Sequence, residues 1–135
     1  MKKVLLVLVL FGLLSVVTTV HAADADGVWI CSDQNCPVVA MSRVNGGAIL
    51  FTMLDLWGGY MADWWPLFGP FDGTTAQLSL ILTSEANGNI AKSFTGTFTL
   101  TSPTSASLTL TSCTDYPQQN NCAPVGAVRN FSKIF

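Results

Sequence analysis

The run from Phe94 to Thr111 leaves this chain few ways to fold. Phe94, Gly96, Phe98 and Leu100 alternate with Thr95, Thr97, Thr99 and Thr101, and Ala106, Leu108 and Leu110 alternate with Ser107, Thr109 and Thr111. A period of two marks strands with one dry face and one wet face. For Phe98 and Leu100 to share a face with Leu108 and Leu110, paired residue numbers must sum to an even value, so the loop must be odd. Pro103-Thr104-Ser105 is a loop of that kind; a two-residue turn would send one strand's leucines into water.

The same signals recur along the chain. Gly27 to Cys31 reads as a first strand, and Ser32-Asp33-Gln34-Asn35 as a turn. Val38 to Val44 reads as a second strand, ending at Asn45-Gly46, a strong hairpin signal. With those two residues as the loop, Ser42 pairs with Ile49 and Ala40 with Phe51. Gly69-Pro70-Phe71-Asp72-Gly73 breaks the chain before a strand from about Thr74 to Thr83, Ser84 to Asn89 reads as a loop, and Ala127 to Phe135 alternates as a last strand. No stretch beyond the N-terminal apolar run keeps a helical period. The expectation is an all-β antiparallel meander of about eight strands, closed into a small up-and-down barrel rather than left as an open sandwich, since closure removes both edges.

The aromatic residues concentrate in one place. Leu50 to Phe71 carries Phe51, Trp57, Tyr60, Trp64, Trp65, Phe68 and Phe71 around Gly58-Gly59. A two-residue turn there sets Trp57 opposite Tyr60, Met53 opposite Trp64 and Thr52 opposite Trp65. In this register Trp64, like Trp29, reads as core. Trp57, Tyr60 and Trp65 are the candidate binding residues, because large rigid side chains at a hairpin suit contact with a partner.

The N-terminus bounds compartment and chemistry. Met1-Lys2-Lys3, the apolar run from Val4 to Thr19 and Val20-His21-Ala22 have the form of a secretory signal peptide, and the run is short for a membrane span. The expected organisation is a signal peptide over 1–22 and a single β domain over 23–135. Cleavage is expected before Ala23, with Ala23-Asp24-Ala25 as a second site, and the product is expected to be periplasmic or secreted with no membrane span. Arg43, Lys92, Arg129 and Lys133 then face eight acids, so no basic patch is available for nucleic acid. The only histidine, His21, leaves with the signal. Cys31, Cys36, Cys113 and Cys122 are an even set in an exported chain and read as two disulfides. Local pairing, Cys31 with Cys36 and Cys113 with Cys122, brackets two turn-rich segments; joining the N-terminal pair to the C-terminal pair is the alternative. Neither spacing suits a metal site, and no metal or cofactor is indicated.

Without a histidine, an enzyme would need carboxylates. Asp55 and Asp63 flank the aromatic hairpin, but the Gly58-Gly59 register pairs Asp55 with Ala62 and Asp63 with Leu54, on opposite faces, so they do not form the pair that glycoside hydrolysis requires. The reading is therefore non-catalytic: an exported binding or inhibitory module whose partner is a protein, a saccharide or a small apolar ligand. The alternative is a surface or envelope assembly component that pairs through β edges, since Lys92 is the only charge between Thr74 and Ser112 apart from Glu85 in the loop.

Taken together, Gly27 and Trp29, Trp64-Trp65 with Gly69, Gly96-Thr97 with Leu100, Leu108 with Leu110, and Lys133-Ile134 resemble the pattern of a group of small exported bacterial all-β domains of unknown function. Those domains open with Gly-x-Trp and close with a Gly-Thr-x-x-Leu strand and a Lys-Ile-like tail. The resemblance implies an exported all-β domain and no catalytic residues. The four cysteines depart from it.

Overall fold

A computed structural model describes residues 22–55, 63–83, 90–115 and 123–135. Eight antiparallel strands follow a one-turn 3-10 helix, η1 (Ala22–Ala25): β1 (Gly27–Cys31), β2 (Val38–Asn45), β3 (Ala48–Asp55), β4 (Asp63–Pro70), β5 (Thr75–Thr83), β6 (Ile90–Ser102), β7 (Ser105–Asp115) and β8 (Val128–Lys133). Each strand pairs with the next, and β8 returns to β1 through Trp29 opposite Lys133 and Cys31 opposite Phe131, so the sheet is a closed barrel. Val28 N–H donates to Phe135 O at 2.9 Å and Ile134 N–H to Val28 O at 2.8 Å, which ties the C-terminus across the base of that seam.

The period of two sorts the side chains. Trp29, Ala40, Ile49, Phe51, Leu67, Leu78, Phe98, Leu108 and Phe131 fill the interior, while the threonines of β6 and β7 line the outside. Phe51 is the hub of the lower core. Its ring centroid lies 5.2 Å from that of Phe98 and 5.4 Å from that of Phe131, the latter edge-on, a geometry that suits the ring quadrupoles.

Three connections differ from the sequence expectations. The β2–β3 turn is Gly46-Gly47, with φ of 58° and 78°, not Asn45-Gly46. A tight hairpin turn needs positive φ at both central residues, and two glycines meet that at no steric cost. Ser42 consequently pairs with Phe51 and Ala40 with Met53, two residues from the expected register, and a shift of two keeps every side chain on its face.

Between β6 and β7 the parity argument holds, but the device is a different one. Ser102 pairs with Ser105 across a two-residue Pro103-Thr104 turn, and Thr101 is then skipped so that Leu100 meets Ala106 and Phe98 meets Leu108. A bulge of one residue flips the strand back and keeps the leucines inside.

The β3–β4 register is displaced by one residue. Met53 pairs with Trp65, Leu54 with Trp64, and Asp55 with Asp63, in place of the pairs a two-residue Gly58-Gly59 turn would make. The lower end of β4 shows the physical reason. A Cβ on Gly69 would come within 1.8 Å of Gln77 O, so β5 crosses there too closely for any side chain, and a glycine must occupy that interior-facing position. With Gly69 inside, Leu67 and Trp65 are inside as well, and Trp64 and Phe68 face out.

The same strand explains the thinnest seam of the barrel. Phe71 N–H donates to Gly47 O on the β3 side, so by alternation the even-numbered amides of β4 face β5. Pro66 and Pro70 have none to give, which halves the amides β4 can offer; Phe68 opposite Ser79 is the β4–β5 ladder pair among the described residues, with a bridge from Phe71 to Ala76 below it.

Candidate functional site

In an up-and-down barrel the connections alternate between two ends. The base holds the Gly46-Gly47 and Pro103-Thr104 turns, η1 and the C-terminus. The mouth carries the β1–β2 connection and the strand ends at Asp55, Asp63, Thr83, Ile90, Asp115 and Val128.

At the base, Trp29 is fully buried, and its Nε1–H donates to Ser42 Oγ at 2.6 Å; the Ser42 hydroxyl in turn donates to Ala25 O. Lys133 Nζ lies 5.6 Å from the Trp29 ring centroid and donates to Asp24 O at 2.9 Å. η1 thus closes the base, and every polar atom of this network has a partner, as burial demands.

Towards the mouth the filling thins. A cavity of about 160 Å³ opens between Met53, Trp65, Phe94, Leu110 and Cys113, with Phe131 below. Trp65 and Phe94 meet edge to face in its wall, their centroids 6.1 Å apart. A second bulge shapes this end: Gly96 pairs with Leu110 but Thr95 with Ser112, so Thr111 is skipped and Cys113 turns inward. Outside, the Thr95 hydroxyl lies 2.8 Å from that of Thr111 and 2.6 Å from that of Ser112, a side-chain tie across the bulge. Among the described residues of the lining, Arg129, opposite Leu108 on β8, is the only charged one.

The β1–β2 connection is pinned beside this mouth. Cys31 and Cys36 form a disulfide. Between them, Asp33 accepts hydrogen bonds from the Asn130 side chain and backbone, both at 2.9 Å. Those bonds, the side-chain one foremost, with a smaller contribution from the Arg129 charge, hold its carboxyl below the usual carboxylate range.

Of the residues expected to bind, Trp65 is brought into the cavity wall, half-buried and facing inward. Trp57 and Tyr60 lie outside the described residues, as does Cys122, the expected partner of Cys113. Trp64, expected in the core, is exposed on the outer face. Asp55 and Asp63, expected on opposite faces, occupy directly opposed positions of one ladder and therefore share a face, because the one-residue displacement changes parity.

Met53, Phe94 and Arg129 were not among the sequence candidates. Phe94 belongs to the alternation that placed Phe98 and Leu100 inside, so its interior position was readable; that the space beside it would stay open was not. Comparison of the chain with protein-family models, with curated proteins and with solved structures finds no match to any of the three, so the group that the sequence resembles is not identified by them.

Proposed function

We propose that this is an exported binding module that holds one small apolar molecule in the mouth of the barrel. The observation that carries the reading is the cavity walled by Trp65, Phe94 and Met53 above a base packed solid with aromatic rings. An eight-stranded barrel is just wide enough either to be filled by its own side chains or to hold one small ligand, and the described side chains of this one fill its base and wall a cavity towards its mouth. An apolar cavity of about this size takes a ligand on the scale of benzene. Closure through β1 and β8 removes the two sheet edges that an assembly role would use. Export is supported by the N-terminal pattern and by the Cys31–Cys36 disulfide, which suits an oxidising compartment. Among the described residues no helix is long and apolar enough to cross a membrane.

The test is a titration with toluene and, separately, indole, followed by methyl resonances and thermal unfolding. Binding should shift the Met53 and Leu110 methyls together and raise the midpoint with ligand concentration, because a ligand of the native state stabilises it by mass action. No shift at these methyls with either compound would end the reading.

A second reading has its own observation. Leu50, Trp64 and Phe68 are exposed together on the outer face of β3 and β4, with Met41 on β2, an aromatic surface of the kind a protein partner covers. Substituting Trp64, which faces out, and Trp65, which faces in, separates the two.

A further inference from the structure

We infer that the exported chain is cut between Ala22 and Ala23, and that the second small-residue site, after Ala25, is not the one that yields the working protein. This rests on the export reading above. Cleavage adds water across one peptide bond, leaving a carboxylate on Ala22 and an ammonium group on Ala23. The sequence alone offers two such bonds, because Val20-His21-Ala22 and Ala23-Asp24-Ala25 both put small or tolerated residues at the positions a signal peptidase reads.

The fold distinguishes the two products. Ala25 is fully buried in the core cluster, and its carbonyl accepts the Ser42 hydroxyl that in turn accepts from Trp29. The Asp24 carbonyl accepts from Lys133, the residue that lies over Trp29 and pairs with it across the closing seam. A cut after Ala25 removes both acceptors and the plug over the indole. It also leaves the new ammonium group on Asp26, whose carboxylate already takes the Val44 amide and the Arg43 guanidinium. A cut after Ala22 leaves all of these contacts in place.

The peptidase meets the chain extended, before folding, so burial of Ala25 does not shield the second bond. What the structure decides is which product closes its barrel. Two measurements test this. The intact mass of protein recovered from the envelope or medium should correspond to a chain starting at Ala23. Chains made to start at Ala23 and at Asp26 should differ in thermal midpoint, the shorter melting lower by roughly 5–15 °C or failing to fold. An exported protein starting at Asp26, or equal midpoints for the two chains, overturns the inference and leaves the export reading standing. Protein that keeps Met1 and stays in the cytoplasm removes both.

Discussion

Lys133 pairs with Trp29 across the seam that closes the barrel, and its ammonium group lies over the indole while donating to the carbonyl of Asp24. One side chain of the last strand thus touches both the first strand and the helix before it, adding a cation to the backbone and hydroxyl bonds that already join these pieces at the base. A partly desolvated cation over a tryptophan face contributes about 1–2 kcal/mol. Lys133→Met keeps the apolar stem but removes the charge and the hydrogen bond, and should lower stability by that order in chemical denaturation. An unchanged denaturation midpoint would show that the stem alone closes the seam.

Ser42 is the buried polar residue beneath that pair, and its hydroxyl both accepts and donates. Ser42→Ala leaves the indole N–H and the Ala25 carbonyl without partners and should cost about 1–3 kcal/mol each. Trp29→Phe removes the stranded donor. In a double-mutant cycle the pair should therefore cost less than the sum of the single changes, and strict additivity would mean that the indole finds another acceptor.

The architecture was legible in the sequence wherever one face of a strand is polar. β5, β6 and β7 carry serine and threonine between leucines and phenylalanines, and there the parity of the side chains could be read before the loop that achieves it. β3 and β4 gave no such guide. Leu50, Phe51, Met53 and Leu54 are apolar on both faces, as are Trp64 and Trp65, so the register had to be inferred from a Gly-Gly pair and came out one residue wrong. The constraint that settled it, the close crossing of β5 at Gly69, is a tertiary one. The cavity was hidden for a similar reason: its walls come from strands far apart in sequence, and the Thr111 bulge that turns Cys113 inward leaves no periodic signature.

The β1–β2 connection should depend on its disulfide. Closing a loop of this size contributes about 2 kcal/mol in the chain-entropy model. The Asp33 bonds to Asn130 add a second tie to β8 beside it. Cys31→Ser with Cys36→Ser should lower the denaturation midpoint by that order, and added reductant should then have no further effect at this loop. Equal stability of variant and wild type would assign the loop's order to Asp33 alone.

Acid should loosen the β4–β5 turn at a defined point. Asp72 accepts from the Thr75 hydroxyl at 2.6 Å, the Thr75 amide at 2.7 Å and the Thr74 amide at 2.8 Å. These bonds, the hydroxyl first, hold its carboxyl down at about 2. The folded pKa is depressed, so the contribution is fully present above the unfolded value near 4 and is lost as pH falls from there through about 2. Asp72→Asn should lower the thermal midpoint at neutral pH, and the gap to wild type should close between about pH 4 and 2. A gap that persists below that window would mean that the turn is held by something other than the charge.

The displaced β3–β4 register makes opposite claims about two adjacent tryptophans. Trp64 is 52% exposed on the outer face, whereas Trp65 stands edge-on to Phe94 in the cavity wall. Chains that keep only one of these two, with the other tryptophans changed to Phe, should therefore differ in their fluorescence. Iodide, which is charged and stays in water, should quench Trp64 readily and Trp65 poorly, and toluene should perturb Trp65 alone. Removing the side chains should split the same way. Trp65→Ala takes a ring from the cavity wall, so it should abolish the toluene response and cost about 3 kcal/mol or more. Trp64→Ala takes a ring from the surface and should leave the midpoint within about 0.5 kcal/mol of wild type. If Trp64 were instead the protected residue and Trp65 the quenchable one, the hairpin would pair through a two-residue Gly58-Gly59 turn, and the cavity wall proposed here would not exist.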